Sequence, residues 1–277
     1  MTTVPDITLN DGATIPQLGF GVFQIKPEDT ARAVLEAFEV GYRHIDTAQM
    51  YGNEREVGQA IAESGLPREE LFITSKLNND SHDPAAAREA TARSVDALGG
   101  PMDLYLVHWP MPAVGDYVQT WHAMEAARDA GQTRSIGVSN FQIPHLERLL
   151  AESETVPAVN QIEVHPYLRQ DAVRAFNREH GIATQAWSPI SQGDVLDDPE
   201  LLALAGETGR TVAQVVLRWH IQRGDIVFPK STSPARMAEN FDIFDFALTD
   251  AQVARVDACN IDRRRGPDPD EMNWIPG

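Results

Sequence analysis

The sequence predicts an α/β fold of the (β/α)8, or TIM, barrel class. Three observations predict it. After an initial hairpin, short apolar runs alternate eight times with segments of helical periodicity, the pattern of a parallel sheet covered by helices. The length of 277 residues suits one such barrel, which usually takes about 250. No linker, low-complexity run or composition shift divides the chain, so residues 1–277 read as a single barrel domain. An open doubly wound sheet fits less well, because no strand is followed by a phosphate-binding glycine fingerprint.

The elements follow in order. Ile7-Thr8-Leu9-Asn10 and Ala13-Thr14-Ile15 flank Asp11-Gly12, a two-residue hairpin turn signal. Leu18-Gly19-Phe20-Gly21-Val22-Phe23 is the first barrel strand. Its Gly-x-Gly lacks the third glycine and the helix of a dinucleotide site. Ala31, Val34, Leu35 and Phe38 fall on one face of a helix opened by Pro27, Glu28 and Asp29 and closed by Gly41. Arg43 to Thr47 is the second strand, and 53–64 a helix with Val57, Ile61 and Ala62 inward. Strands are then predicted at 71–76, 102–108, 133–139, 158–162, 182–187 and 225–229, and helices at 84–98, 117–130, 144–151, 171–180, 201–205, 211–222, 234–240 and 249–258. Thr211-x-x-Gln214 has the form of a capping box.

Composition narrows the function. With 42% hydrophobic and 23% charged residues the chain can fill a globular core. No run approaches the roughly 20 apolar residues of a membrane span, and Met1 to Asp6 shows no secretory signal. The lone Cys259 excludes an internal disulfide and suits a reducing compartment. A cytoplasmic monomer is expected. A net charge of −18 argues against nucleic-acid or anionic-membrane partners, so any anionic ligand needs a local basic cluster. Arg263-Arg264-Arg265 reads as a solvated tail feature.

In this barrel class the active site lies at the C-terminal ends of the strands. Those ends carry Asp46, Lys76, His108, Ser139-Asn140, Gln161, Trp187-Ser188 and Lys230-Ser231, a set that core packing alone would not select. Asp46, Lys76 and His108 come from successive strands, and Tyr51 follows in the loop after Asp46. A phenol is a weak acid, with a pKa of about 10, and a nearby ammonium lowers that value. Asp46 would hold Lys76 charged, and a neutral His108 would position a carbonyl oxygen. Such a site can protonate an oxygen while a cofactor delivers hydride to its carbon. A metal site from His44, Asp46 and His108 is the weaker reading, since Lys76 would repel a cation. Lys230, Ser231, Thr232 and Arg236, with Asn240, form the local basic cluster, suited to a phosphate monoester and hence to NADPH over NADH. Trp187 offers a flat face to a nicotinamide, and Asn140 and Gln161 offer amides to its carboxamide.

Asp46, His108, Ser139, Asn140, Lys230 and Ser231 stand in four motifs: Gly41-Tyr42-Arg43-His44-Ile45-Asp46-Thr47-Ala48, Leu104-Tyr105-Leu106-Val107-His108-Trp109-Pro110, Ser135-Ile136-Gly137-Val138-Ser139-Asn140 and Ile226-Val227-Phe228-Pro229-Lys230-Ser231. Through them the chain resembles the aldo-keto reductases along nearly its full length, and within them the bacterial 2,5-diketo-D-gluconic acid reductases. The resemblance implies a (β/α)8 barrel that reduces aldehydes and ketones with NADPH and no metal. It implies a catalytic tetrad of Asp46, Tyr51, Lys76 and His108, with Tyr51 as proton donor. It places the nicotinamide on Trp187, with its amide at Ser139, Asn140 and Gln161. It assigns the 2′-phosphate to Lys230, Ser231, Thr232 and Arg236, the adenine side to Glu239 and Asn240, and the pyrophosphate to Ser188 through Gln192. The small-molecule carbonyl substrate is then expected among Phe23, Gln49, Met50, Asn78, Trp109 and Trp274. Asn78 stands where relatives usually carry Trp, so a more open or polar pocket is expected. The tail from Arg263 through Trp274 belongs to the segment that shapes specificity. Two other readings use the same residues: a nicotinamide-binding regulatory subunit, and an aldolase forming a Schiff base on Lys76.

Overall fold

The computed structural model describes residues 4–275. A hairpin, β1 (Asp6–Thr8) and β2 (Thr14–Pro16), precedes eight barrel strands: β3 (Phe20–Gly21), β4 (His44–Asp46), β5 (Phe72–Leu77), β6 (Met102–Val107), β7 (Thr133–Ser139), β8 (Val159–Glu163), β9 (Ala183–Trp187) and β10 (Ile226–Val227). Neighbours pair in parallel in chain order from β3 to β10. The ring closes where Leu18 bridges Val227 and Gly19 N donates to Val227 O at 2.7 Å. Helices α1 (Pro27–Val40), α2 (Glu54–Glu63), α3 (Pro84–Leu98), α4 (Tyr117–Asp129), α5 (Ile143–Glu152), α6 (Asp171–Glu179), α7 (Pro199–Thr208), α8 (Val212–Gln222), α9 (Pro234–Phe241) and α10 (Asp250–Asp257) complete it. None of the described helices is long and apolar enough to cross a membrane.

The Gly-x-Gly that fails as a nucleotide fingerprint has a packing reason. A Cβ on Gly19 would lie 2.6 Å from His44 Nδ1, and one on Gly21 2.6 Å from Phe228 O. Both glycines therefore let β3 lie between β4 and the closing strand. The hairpin plugs the opposite mouth of the barrel: Leu9, Ala13 and Ile15 pack with Phe72, Leu104, Leu106, Val159 and Ile226. With that end sealed, the C-terminal rim is left for ligands.

Three local expectations shift. The hairpin loop has three residues, because Leu9 N bonds Ala13 O and Gly12 N bonds Leu9 O. Gly12 takes the left-handed position at φ +87°, as in a turn followed by a bulge. On α2 the inward face is Val57, Gly58 and Ala60, while Ala62 is exposed; helical phase sets Ala62 outward once Val57 points in. Helix α7 runs a full turn beyond the 201–205 core, opened by Asp198, whose carboxylate caps Glu200 N and Leu201 N. The Thr211–Gln214 capping box forms as expected.

Candidate active site

Gly41 ends α1 at φ +122°, turning the chain into β4, whose last residue is Asp46. The chain then makes a 3-10 turn at Gln49–Tyr51, ended by Gly52 in the left-handed region. Two side-chain amides fix this turn, the half-buried Gln49 and the buried Asn53. Gln49 Nε2 donates to Ala90 O (2.7 Å) and Ser94 Oγ (2.9 Å), and its Oε1 accepts from Asn78 N. Asn53 accepts from Thr47 Oγ1 at 2.8 Å and donates to Val22 O at 3.1 Å. Tyr51 is thus delivered to the rim by two amides that make no hydrogen bond to it.

The four candidate catalytic groups meet there. Lys76 Nζ donates to Asp46 Oδ1 at 2.6 Å, Thr47 O at 2.8 Å and Tyr51 Oη at 3.2 Å. The Tyr51 ring lies 5.9 Å from that of His108, which stacks on Trp109. Burial disfavours the Lys76 charge, but Asp46 and Tyr51 together raise its pKa above the ordinary value. Burial pushes Asp46 upward as well, against Lys76 and Gln161. The hydrogen bonds decide in favour of the carboxylate: Oδ1 accepts from Lys76 and Oδ2 from Gln161 Nε2 at 2.7 Å, leaving no acceptor for an acid proton. Burial is the largest influence on Tyr51 and raises its pKa; Lys76 opposes it and Asp46 adds to it. This corrects the expectation of a lowered phenol. Tyr51 is held protonated, as a donor must be. Burial and then Lys76 drive His108 well below the usual imidazole range, so it is neutral at physiological pH. Its Nδ1 is buried without a partner.

The barrel links this cluster to the next. Gln161 Nε2 also donates to Gln185 Oε1 at 2.8 Å, so its donor is committed and only its carbonyl oxygen can serve a ligand. Ser139 Oγ donates to Gln161 O. Asn140, at φ +65°, accepts from Trp187 Nε1 at 2.8 Å. The loop after β9 carries Ser188, Ser191 and Gln192 at φ +49°, +49° and +54°, followed by Gly193 at +103°. Non-glycine residues rarely adopt this conformation, and runs of it turn backbone N–H groups toward an anion. Ser191 Oγ there is buried and unpartnered.

At the basic cluster Lys230, Thr232 and Arg236 are exposed, and Ser231 and Asn240 buried. No salt bridge among the described residues uses Lys230 or Arg236, whereas Arg210, just before α8, has two. Glu239 is turned to Thr211 Oγ1 at 2.9 Å. An unpaired Lys and Arg beside the first turn of α9 fit a phosphate.

The expected substrate wall divides. Phe23, 48% exposed, lies 5.0 Å from the Tyr51 ring, Trp109 lies beside His108, and Met50 sits on the Tyr51 turn. Gln49 is turned into α3 with its amide fully committed, whereas the Asn78 side-chain carbonyl accepts from Asn79 N and its NH2 has no partner among the described residues. Trp274 is 55% exposed; its backbone carbonyl is held by Asn79 Nδ2 at 3.0 Å. His44 faces Pro16 O and Thr74 Oγ1, away from His108. Among the described residues no cluster of three His, Cys, Asp or Glu side chains can hold a metal ion.

In the arginine run Arg263 and Arg265 are exposed, as expected of a solvated feature, and also reach Asp194 at 3.3 and 3.0 Å, while Arg264 donates to Gln170. Sequence reasoning missed Asn53, Glu163 and Asp194. Asn53 and Glu163 had a readable signal, a polar residue just beyond a motif or a predicted strand end, while Asp194 had none.

Known proteins share this arrangement. The family model described as "Aldo/keto reductase family" matches residues 17–261. An aldo-keto reductase of Mycolicibacterium smegmatis is 51% identical over 271 residues, 98% of each chain. The methylglyoxal reductase DkgA of Escherichia coli is 46% identical over 269 residues, 96% of this chain and 97% of its own. The crystal structure of a Gox0644 variant in complex with NADPH superposes with a TM-score of 0.95 at 42% identity, covering 99% of this chain and all of that one.

Proposed function

The chain belongs to the aldo/keto reductase family, and on that premise we propose that it is an NADPH-dependent oxidoreductase that reduces aldehydes and ketones to alcohols, with Tyr51 as proton donor. The observation that carries this reading is the Tyr51 hydroxyl 3.2 Å from an ammonium that is itself paired with a buried carboxylate at 2.6 Å. Bound NADPH supplies the hydride. The chain's own residues do the rest. Neutral His108 donates a hydrogen bond to the carbonyl oxygen and fixes its place. Tyr51 gives that oxygen its proton, and Lys76 stabilises the phenolate left behind. Asp46 keeps Lys76 charged and aimed. Positioned acid catalysis of this kind contributes about 10²–10⁴-fold.

Lys230, Ser231, Thr232 and Arg236 would hold the 2′-phosphate, which favours NADPH over NADH. Ser188 through Gln192 would take the pyrophosphate on its left-handed backbone. Trp187 would support the nicotinamide, with Ser139, Asn140 and the Gln161 oxygen at its amide. Glu239 and Asn240 would face the adenine. The substrate would lie among Phe23, Met50 and Trp109. Methylglyoxal reductase activity in a relative puts small dicarbonyls beside keto-sugars and α-ketoesters as candidates. The aldolase reading finds no support: a Schiff-base lysine must shed its proton, and Lys76 is buried in a charged, three-acceptor nest.

The test is a panel of aldehydes, α-ketoesters, diketones and keto-sugars read by NADPH absorbance, with wild type beside Tyr51→Phe. Turnover should fall by about 10²–10⁴-fold in the variant while NADPH still binds. Equal turnover in both would remove Tyr51 as the acid. Tight NADPH binding without turnover of any carbonyl would favour the regulatory-subunit reading.

A further inference from the structure

One buried carboxylate fixes the root of the C-terminal tail. Glu163 ends β8 and is 1% exposed. Its Oε1 accepts from Arg265 N at 2.6 Å and lies 2.9 Å from His165 Nε2; its Oε2 accepts from Gly266 N at 3.0 Å. Burial opposes its charge, but His165 and the two backbone amides outweigh burial and lower its pKa. The tail root is therefore held by an ionised group whose two oxygens are both used.

That root touches the next strand tip. A Cβ on Gly266 would lie 2.4 Å from Trp187 Cη2. At its other end the indole donates Nε1–H to Asn140. The ring is clamped between a side chain of the β7 tip and tail backbone that Glu163 holds in place. Arg263 and Arg265 extend the same segment to Asp194, in the loop of left-handed residues.

We propose that Glu163 and Gly266 are positioning residues for the Trp187 indole, setting the face that receives the nicotinamide. The inference rests on the cofactor reading given above. It makes the tail a support of the cofactor site as well as a neighbour of the substrate loops. Gly266 is required because any side chain there displaces the ring, and Glu163 because it prevents the tail from moving instead. Ordinary van der Waals contact begins near 3.4 Å, so a Gly266 side chain demands a displacement of about 1 Å, enough to cost up to about 10²-fold in rate.

The experiment measures kcat/KM, cofactor Kd by calorimetry and Tm for wild type, Gly266→Ala, Glu163→Gln, Trp187→Phe and the Gly266→Ala/Trp187→Phe double variant. Gly266→Ala should weaken NADPH and NADH by the same factor, since the nicotinamide end is common to both, and lower kcat/KM by up to about 10²-fold. Glu163→Gln should act in the same direction, because its amide nitrogen faces one of the two backbone N–H groups. In the Trp187→Phe background Gly266→Ala should cost little more, because the atom it displaces is gone. Equal fold-losses in both backgrounds would overturn the proposal. So would a fall in Tm with Kd and kcat/KM unchanged. If Trp187→Phe alone leaves both cofactors bound as before, the platform assignment itself fails. If Trp187→Phe weakens binding and the other two single variants do not, that assignment stands and the positioning inference is lost.

Discussion

Replacing Asp46 by Asn isolates the link between the barrel interior and the acid. The side chains of Lys76 and Asp46 are 0% and 2% exposed, so solvent cannot take over the charge that is lost. Breaking a buried pair by removing one partner costs about 3–5 kcal/mol, because the other charge stays behind uncompensated. Lys76 would keep Thr47 O and Tyr51 Oη, both uncharged acceptors. Burial then works against the ammonium with less to oppose it, and the Lys76 pKa should fall. A second effect follows from hydrogen-bond polarity. An Asn side chain facing Lys76 with its oxygen turns its NH2 toward Gln161 Nε2, donor against donor. Gln161 can relieve this by flipping if Gln185 flips too, and Gln185 Nε2 is at present buried without a partner. The flip would replace the Gln161 oxygen left for the cofactor amide with an NH2. Asp46→Asn should therefore lose stability in urea unfolding, lose turnover within the 10²–10⁴-fold range of a disabled acid, and bind NADPH more weakly. The double variant Asp46→Asn/Lys76→Met removes both charges and should regain stability over Asp46→Asn without regaining turnover. A wild-type unfolding midpoint and pH–rate profile for Asp46→Asn, or a double variant no more stable than the single one, would refute this account.

The remaining predictions concern the cofactor and pH. Arg236→Ala should raise the Kd of NADPH far more than that of NADH, because only the former carries the 2′-phosphate; calorimetry showing equal losses would move the phosphate elsewhere. Stability should fall on acidification, beginning below about pH 6.5, the ordinary value for histidine. Burial is the largest cause of the lowered pKa of His44, pushed down to about 3, of His82, pushed down to about 4, and of His220. Each group has a folded pKa below its unfolded one, so the unfolded chain binds the extra proton. The stability they contribute is complete above the unfolded value and drains as pH falls toward the folded one, by about 1.4 kcal/mol per pH unit for each. Urea midpoints that stay flat between neutral pH and pH 5 would contradict this.

The barrel was legible because period-2 and period-3.6 patterns alternate without interruption, and because each pattern is set by burial on one face. Strand ends were less so. β3 and β10 pair over two residues each, since glycines and Pro229 limit the ladder where the ring closes. Ala62 was misplaced because Ala is small enough to sit on either side of a helix. At the site, the neighbourhood of Asp46, Lys76 and His108 was readable from strand order, because consecutive parallel strands put their tips side by side; Tyr51 joins them from the loop after Asp46. Amides were harder to place. Gln49 follows a tip and reads as a pocket wall, but its side chain pairs with Ala90 O and Ser94 Oγ, partners that the sequence does not single out. Arg263 and Arg265 are exposed, as a solvated feature should be, but their pairing with Asp194 and the Arg264 bond to Gln170 were not legible. Contacts between residues about seventy or more apart in sequence leave no periodic trace.

The same distinction between committed and uncommitted groups marks where a ligand belongs. With a net charge of −18, the protein's long-range field repels an anionic cofactor, and most of its arginines are neutralised locally, as Arg174 is by Asp225 and Arg255 by Glu200 and Glu207. Only three of the 23 basic residues are lysines: Lys26, Lys76 and Lys230. One of them, Lys76, is buried and fully paired with Asp46, Thr47 O and Tyr51, and in the proposed mechanism its charge acts on Tyr51. Another, Lys230, stands with Arg236 at the β10 rim without a carboxylate, in a fold that has carboxylates in excess. Leaving two cations unpaired on so acidic a surface is costly in lost ion-pair attraction only if nothing else fills their place. On the cofactor reading proposed above, a phosphate monoester would fill it, through the charges of Lys230 and Arg236 and the exposed Thr232 hydroxyl. The local attraction acts over a few ångströms, whereas the repulsion from the remaining surface is screened within about 8 Å at physiological salt. On that reading the acidic chain would bind an anion at this place while its charge discourages anions from the rest of the surface.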